Sequence, residues 1–232
     1  MSVHDGHRQR VKERFRKEGL DNFDDLHVLE LLLFYCVARK DTNLMAHELL
    51  DRFGSLAQVL EATPMELEKV PGVGEHISGF LSLINSVGRR YQISKAAPIT
   101  VLRNVEQCGE YLLPHFYGRV NEVVFLLCMD AKCKVLACFE VGEGSVNSAG
   151  VPIRRIVEQA LGSNATSVVL AHNHPSGLAL PSADDIQTTK RLAIALSAVD
   201  VTLVDHLVIS DGDYVSMVQS GYYRPEECYC IV

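Results

Sequence analysis

His172 and His174 stand one residue apart in "AHNHPSG", directly after the apolar run "TSVVL". In a strand, residues i and i+2 face the same side with Cα atoms roughly 6.6 Å apart. Two imidazoles so placed can close on one ion at metal–nitrogen distances of about 2.0–2.1 Å. Asn173 then points the other way, and Pro175 biases His174 toward extended geometry. Downstream, "LALPSADDI" offers a third ligand: Ser182 reads as a helix N-cap, with Asp185 at the third helical position. The full pattern is His-x-His, seven residues, Ser, two residues, Asp. Two histidines and an aspartate leave a fourth tetrahedral position for water, the mark of a catalytic rather than a structural zinc site. Ser182 and Asp185 alone also satisfy a capping-box variant, with the acid at the positive end of the helix. That simpler account leaves the two histidines at the preceding strand end unexplained. Asp184 is the competing carboxylate.

The elements that must hold these residues alternate. After "QISKAAPITVL", taken as a linker, "VLRNVEQCGEYLLPHF" reads as a helix. "EVVFLLCMD" and "KVLACFEV" read as strands, and "GEGSVNSAG" as a loop. "VPIRRIVEQALGSN" is a helix closed by Gly162, "SVVLAHNH" a strand, and "SADDIQTTKRLAIALSAV" a long helix. "VTLVDHLVIS" is a strand, and "DGDYVSMV" turns into a last short one. Alternating strands and helices make this region α/β. Ahead of it, residues 8 to about 92 carry helical periodicity, including a capped start at Thr63, Pro64 and Glu66. "VPGVGEHISGFLSLI" places Gly72 and Gly74 before a long apolar helix, the pattern of a helix-hairpin-helix. Such glycines let backbone approach a phosphate at a helix N-terminus, although Glu75 puts an anion there. The domain reading is 1–95 all-α, 101–225 α/β, and 226–232 a tail.

Composition narrows the classes. Apolar residues make up 47% and charged residues 22% of 232, as in an ordinary globular protein. No apolar run approaches the roughly 18 residues of a membrane helix, and the charged start lacks a secretory h-region. The expectation is a cytoplasmic protein with no membrane partner. Seven cysteines without a C-x-x-C pair indicate neither a zinc ribbon nor a disulfide framework. Cys228 and Cys230 are read as part of a loose tail. The net charge of −7 argues against broad nucleic-acid binding, with one local exception. "RQRVKERFRK", residues 8–17, holds six basic residues and one acidic, a solvated helix face or a phosphate-contacting one.

The combination resembles a known family. His172, His174, Ser182 and Asp185 match the JAMM motif of MPN-domain metalloproteases. The wording "AHNHPSG…PSADDI" is similar to the bacterial RadC branch, as are "FGSLAQVLEA", "VPGVGEHI", "GEGSVNS" and "VDHLVIS". The resemblance covers nearly the whole chain. It implies a mixed, cytidine-deaminase-like sheet flanked by helices, behind a small all-α helix-hairpin-helix domain. It also implies one Zn2+ per chain on His172, His174 and Asp185, and a general base on an earlier strand. "RVNEVVFLLCMD" points to Glu122 as that base, fifty residues before His172, with Glu140 and Glu143 as rivals. One departure is visible: many relatives carry Pro-Arg-Glu where this chain has Ile153-Arg154-Arg155.

The implied chemistry is amide hydrolysis. Zinc lowers the pKa of its water from 15.7 toward about 7. Glu122 takes the proton and delivers it to the leaving amine. Ser182 donates to the tetrahedral oxyanion, by trading away its capping partner. The expected substrate is a peptide or an isopeptide-linked protein. The rival reading is a DNA-repair or recombination protein that binds or processes DNA through Gly72, Gly74 and the basic helix. A non-catalytic module is disfavoured by the intact ligand set. Asp205 and His206 are read as core or supporting groups, and the oligomeric state is left open.

Overall fold

The computed structural model describes residues 3–38, 42–96, 101–143, 152–175, 177–210 and 212–225. The chain forms two compact units, Met1–Gly88 and Arg89–Val232.

In the first unit α1 (Val3–Glu18) precedes α2 (Asp25–Cys36) and α3 (Asn43–Phe53). Then come α4 (Leu56–Glu61), α5 (Pro64–Leu67) and α6 (Glu75–Ala96), the last of which runs past Gly88 into the residues of the second unit. Local caps set the boundaries. Asp24 accepts from the His27 amide, and Ser55 from the Gln58 amide. Thr63 and Glu66 form the expected reciprocal capping box. Leu29, Leu33, Leu49, Val59, Leu67 and Leu81 close the core. The start of the expected linker is helical instead: α6 runs through Ala96, because nothing breaks it before Pro98. The rest of that linker, 97–100, lies outside the described residues, as do most of the "GEGSVNSAG" loop and the tail with Cys228 and Cys230.

The second unit contains α7 (Val105–Phe116), β1 (Val123–Met129), β2 (Val135–Glu143) and α8 (Ile153–Gly162). It continues with β3 (Ser167–Asn173), α9 (Ala183–Ser197), β4 (Thr202–Ser210) and β5 (Asp213–Ser216). The helix expected from Val101 starts only at Val105, capped by Asn104, and Val101 bridges to Lys134 instead. Gly162 is the last helical residue of α8, and the left-handed position that follows belongs to Asn164, φ 53°.

The sheet order is β2-β1-β3-β4-β5. Among the described residues, β3 and β4 are the one parallel pair, joined by the crossover helix α9. Alternation along the strands builds two cores. Val124, Leu126, Val168, Leu170 and Val208 pack with Ile156 of α8 and Leu192 and Leu196 of α9. Val123, Phe125, Leu127, Val169, Ala171 and Leu207 pack with Cys108, Leu112 and Phe116 of α7. The result is a mixed sheet between helical layers. The βαβ unit brings the C-terminal end of β3 to the N-terminus of α9, where open α/β sheets commonly bind ligands.

Candidate metal centre

His172 is the penultimate residue of β3, within its buried run, and His174 lies just past the strand, its amide bonded to the Ile209 carbonyl at 2.8 Å. Asp185 enters from the first turn of α9. His172 and Asp185 are 1% and 2% exposed, and the His174 side chain 21%. His172 Nε2 lies 3.0 Å from His174 Nε2 and 3.3 Å from Asp185 Oδ1. His174 Nε2 lies 3.6 Å from Asp185 Oδ2. Taking one ligand atom per residue, the three fall within 4.8 Å of one another. Donors held about 2.0–2.1 Å from a tetrahedral zinc are themselves roughly 3.3–3.4 Å apart. The spacing fits a shared ion.

The donor chemistry fits as well. His174 Nδ1 lies 3.2 Å from the Leu178 carbonyl, which can only accept, so the ring proton sits on Nδ1 and Nε2 is bare. Two imidazole nitrogens only 3.0 Å apart beside a carboxylate gather lone pairs that a shared cation would satisfy. Burial by itself raises the Asp185 carboxyl. The hydrogen bond and charge that His172 supplies when doubly protonated, with the Ser182 hydroxyl and amide, outweigh that and hold it well below the usual carboxylate range.

Ser182 and Asp185 do form a capping box. The Ser182 amide and hydroxyl both donate to Asp185 Oδ2 at 2.7 Å, and Ser182 Oγ accepts from the Asp185 amide at 3.1 Å. Capping and metal binding are therefore not competing accounts of this pair: Oδ2 takes the cap, and Oδ1 is turned to His172. Asp184, the competing carboxylate, is exposed.

Glu122 is half-buried and immediately precedes β1. Val124 is the register partner of His172, so Glu122 occupies the position opposite His174. The rivals stand on the other face. Glu143 and Glu140 are the partners of Val123 and Phe125, which pack toward α7. A bulge at Val141 puts both acids on one face despite their spacing of three residues. Glu140 pairs with Arg119 at 2.5 Å, and Glu143 accepts from Asn121 at 3.0 Å.

Asn173 points away from the site, as alternation requires, but it has a task there. Its Oδ1 accepts from the Val123 amide at 2.7 Å, and its Nδ2 donates to the Asn121 carbonyl at 3.1 Å. The Asn173 side chain thus holds the backbone on both sides of Glu122. Alternation also separates Asp205 from His206. His206 faces the site, its Nε2 2.7 Å from His172 Nδ1. Asp205 faces α7, bonded to the Ser216 hydroxyl at 2.5 Å and to the Val218 amide, beside a cavity of about 200 Å³. Thr189, which the sequence reading passed over, meets His206 at 2.6 Å; its signal is its place one turn after Asp185 on the same helix face. At the departure from the family pattern, Arg155 donates to the Val141 and Glu140 carbonyls and covers the edge of β2.

In the helical unit Gly72 takes a left-handed conformation, φ 83°, in the turn between α5 and α6. That conformation accounts for a glycine there without any ligand. Gly74 has open space around its Cα and directly precedes Glu75.

Residues 102–222 match the family model described as a RadC-like JAB domain. A UPF0758 protein of Paraburkholderia phytofirmans is 36% identical over 211 residues, covering 91% of this chain and 82% of the relative. A UPF0758 protein of Pseudomonas fluorescens is 33% identical over 214 residues, covering 92% of this chain and 96% of the relative. With a family model spanning more than half its length, over a stretch that includes His172, His174 and Asp185, the chain belongs to the RadC family.

Proposed function

We propose that this chain is a zinc-dependent metallopeptidase or isopeptidase that hydrolyses an amide bond. The observation that carries this reading is the convergence of two imidazole nitrogens and one carboxylate at the spacing of a tetrahedral ligand set. Membership of a JAB family, whose members are generally metal-dependent hydrolases, supports it. When bound, the cation supplies Lewis acidity toward a water and a carbonyl. Glu122 accepts the water proton and passes it to the leaving amine. Ser182 holds Asp185 through its amide and hydroxyl. To serve an oxyanion, the hydroxyl exchanges Asp185 for the substrate oxygen while the amide bond persists.

The surroundings suit a peptide better than a nucleic acid. The loop from His174 to Ser182 exposes Leu178 and Leu180, at 75% and 55%, which offers apolar surface to a side chain rather than charge to a phosphate. In the helical unit, Arg8, Lys12 and Arg14 lie over Phe34, Tyr35 and Phe23. Half of the basic run is thereby engaged within its own unit.

The test is zinc quantification with cleavage assays on peptide, isopeptide-linked and single-stranded DNA substrates, wild type beside Glu122→Gln. The expected result is one zinc per chain in both proteins, amide cleavage by the wild type, and a loss of roughly 10²–10⁴-fold in Glu122→Gln. Full activity in Glu122→Gln would reject that base, and cleavage of DNA alone would favour the DNA-processing reading.

A further inference from the structure

Behind the candidate ligands lies a closed chain of hydrogen bonds. His172 Nδ1 meets His206 Nε2 at 2.7 Å, and His206 Nδ1 meets Thr189 Oγ1 at 2.6 Å. Thr189 Oγ1 in turn reaches the Asp185 main-chain carbonyl at 2.6 Å. All four residues are at most 2% exposed, so no bulk water supplies alternative partners.

The direction of every proton in this chain follows from its far end. A main-chain carbonyl only accepts, so the single hydroxyl proton of Thr189 goes to Asp185. The Thr189 oxygen must then accept, which places a proton on His206 Nδ1. A neutral imidazole carries one N–H, so His206 Nε2 is bare and accepts from His172 Nδ1. His172 Nε2 is left bare and turned toward His174 and Asp185. His206 is 1% exposed and its ring nitrogens meet only an imidazole and a hydroxyl, so no anion is at hand to balance a charge and the ring is neutral. The relay starts on the α9 turn that carries one candidate ligand and ends on another, so it couples ring protonation to the seating of that helix.

We propose that His206, oriented by Thr189, is a positioning residue that fixes His172 in its Nδ1–H tautomer and thereby makes the His172–His174–Asp185 group competent to hold a divalent cation. This rests on reading that group as a metal site. Ligating histidines ordinarily donate to a carboxylate, a carbonyl or water. Here the acceptor is a second histidine, whose own tautomer has to be set, and Thr189 is the group that sets it.

Three variants test the relay. Thr189→Val keeps the shape and removes the hydroxyl, so His206 loses its reason to carry the proton on Nδ1. His206→Leu removes the acceptor. His206→Gln places an amide oxygen near the former Nε2 position and restores it. Two readouts are needed: zinc affinity by competition with a chelating dye, and the His172 ring tautomer by ¹⁵N NMR of the metal-free protein. Affinity is expected to fall roughly 10–100-fold in Thr189→Val and His206→Leu, and to recover in His206→Gln. The NMR is expected to show Nδ1–H at His172 in the wild type and a gain of Nε2–H in Thr189→Val. An Nε2–H tautomer in the wild type, or equal affinity across all four proteins, overturns the proposal while leaving the metal site standing. A wild type with the expected tautomer that binds no zinc, cobalt or manganese rejects the metal reading itself, and the proposed competence with it.

Discussion

The Asn173 side chain lies 2.7 Å from the amide of Val123 and continues the β1–β3 pairing one residue beyond Val124 and His172. A residue set between two candidate ligands on one strand thus grips the strand that begins beside the candidate base. Replacing Asn173 with Ala leaves the buried Val123 amide without its acceptor, a loss of about 1–3 kcal/mol. The expected outcome in Asn173→Ala is a lower melting temperature and a reduced kcat with unchanged zinc content. Zinc analysis beside steady-state kinetics checks it; loss of zinc in parallel with activity would mean that Asn173 serves the histidines instead.

Asp185 combines two tasks that one substitution separates. In Asp185→Asn the side-chain oxygen can still accept from the Ser182 amide, so the helix start keeps its cap. The charge that faces His172 is gone. Zinc at about 100 times its dissociation constant adds roughly 2.7 kcal/mol to a protein that binds it only when folded. Thermal melts with and without zinc should show a clear rise for wild type and none for Asp185→Asn, whose metal-free melting point lies below that of the metal-free wild type by the stability the ionised carboxylate supplies.

Acid should destabilise the metal-free protein in two separate windows. Burial holds His206 well below the ordinary imidazole value. Near pH 6.5 the unfolded histidine takes up a proton that the folded one refuses. The unfolded state then holds more protons, and stability falls as pH drops below that point. Asp185 acts lower: its folded carboxyl stays ionised while the unfolded one protonates near pH 3.9, so its contribution is present above about pH 4 and lost beneath it. Denaturant unfolding at a series of pH values should show the upper window flattened in His206→Gln and the lower one retained.

Burial, with the charge of Asp205, pushes the Cys108 thiol up to about 11. Cys128 is raised by burial as well. Thiolate is the reactive form, so iodoacetamide at pH 8 should leave both unmodified in the folded protein and label both after denaturation. Peptide mapping by mass spectrometry reads this directly. Among the described residues, Cys36, Cys108, Cys128, Cys133 and Cys138 are free thiols.

What could be read along the chain was whatever a single element decides. The spacing of His172 and His174, the seven-residue gap and the Ser182–Asp185 turn are short-range facts, governed by strand alternation and helix capping. The strands, the long helix α9 and the capping box at Thr63 follow from periodicity and end signals in the same way. Helix ends were less legible, because Ala96 and Asn164 obey no signal strong enough to outvote their neighbours.

The sequence by itself determined which residues could share an ion and on which elements they ride. Only the tertiary structure decided what supports them. His206 reaches His172 because β4 lies parallel beside β3, and Thr189 reaches His206 because α9 packs against β4. The bulge at Val141 put Glu140 and Glu143 on the α7 face, while the β1–β3 register put Glu122 opposite His174. These are contacts between residues far apart in the chain. Side-chain type and spacing carry no record of register, bulges or neighbouring strands, which are settled when the whole sheet buries its two faces at once.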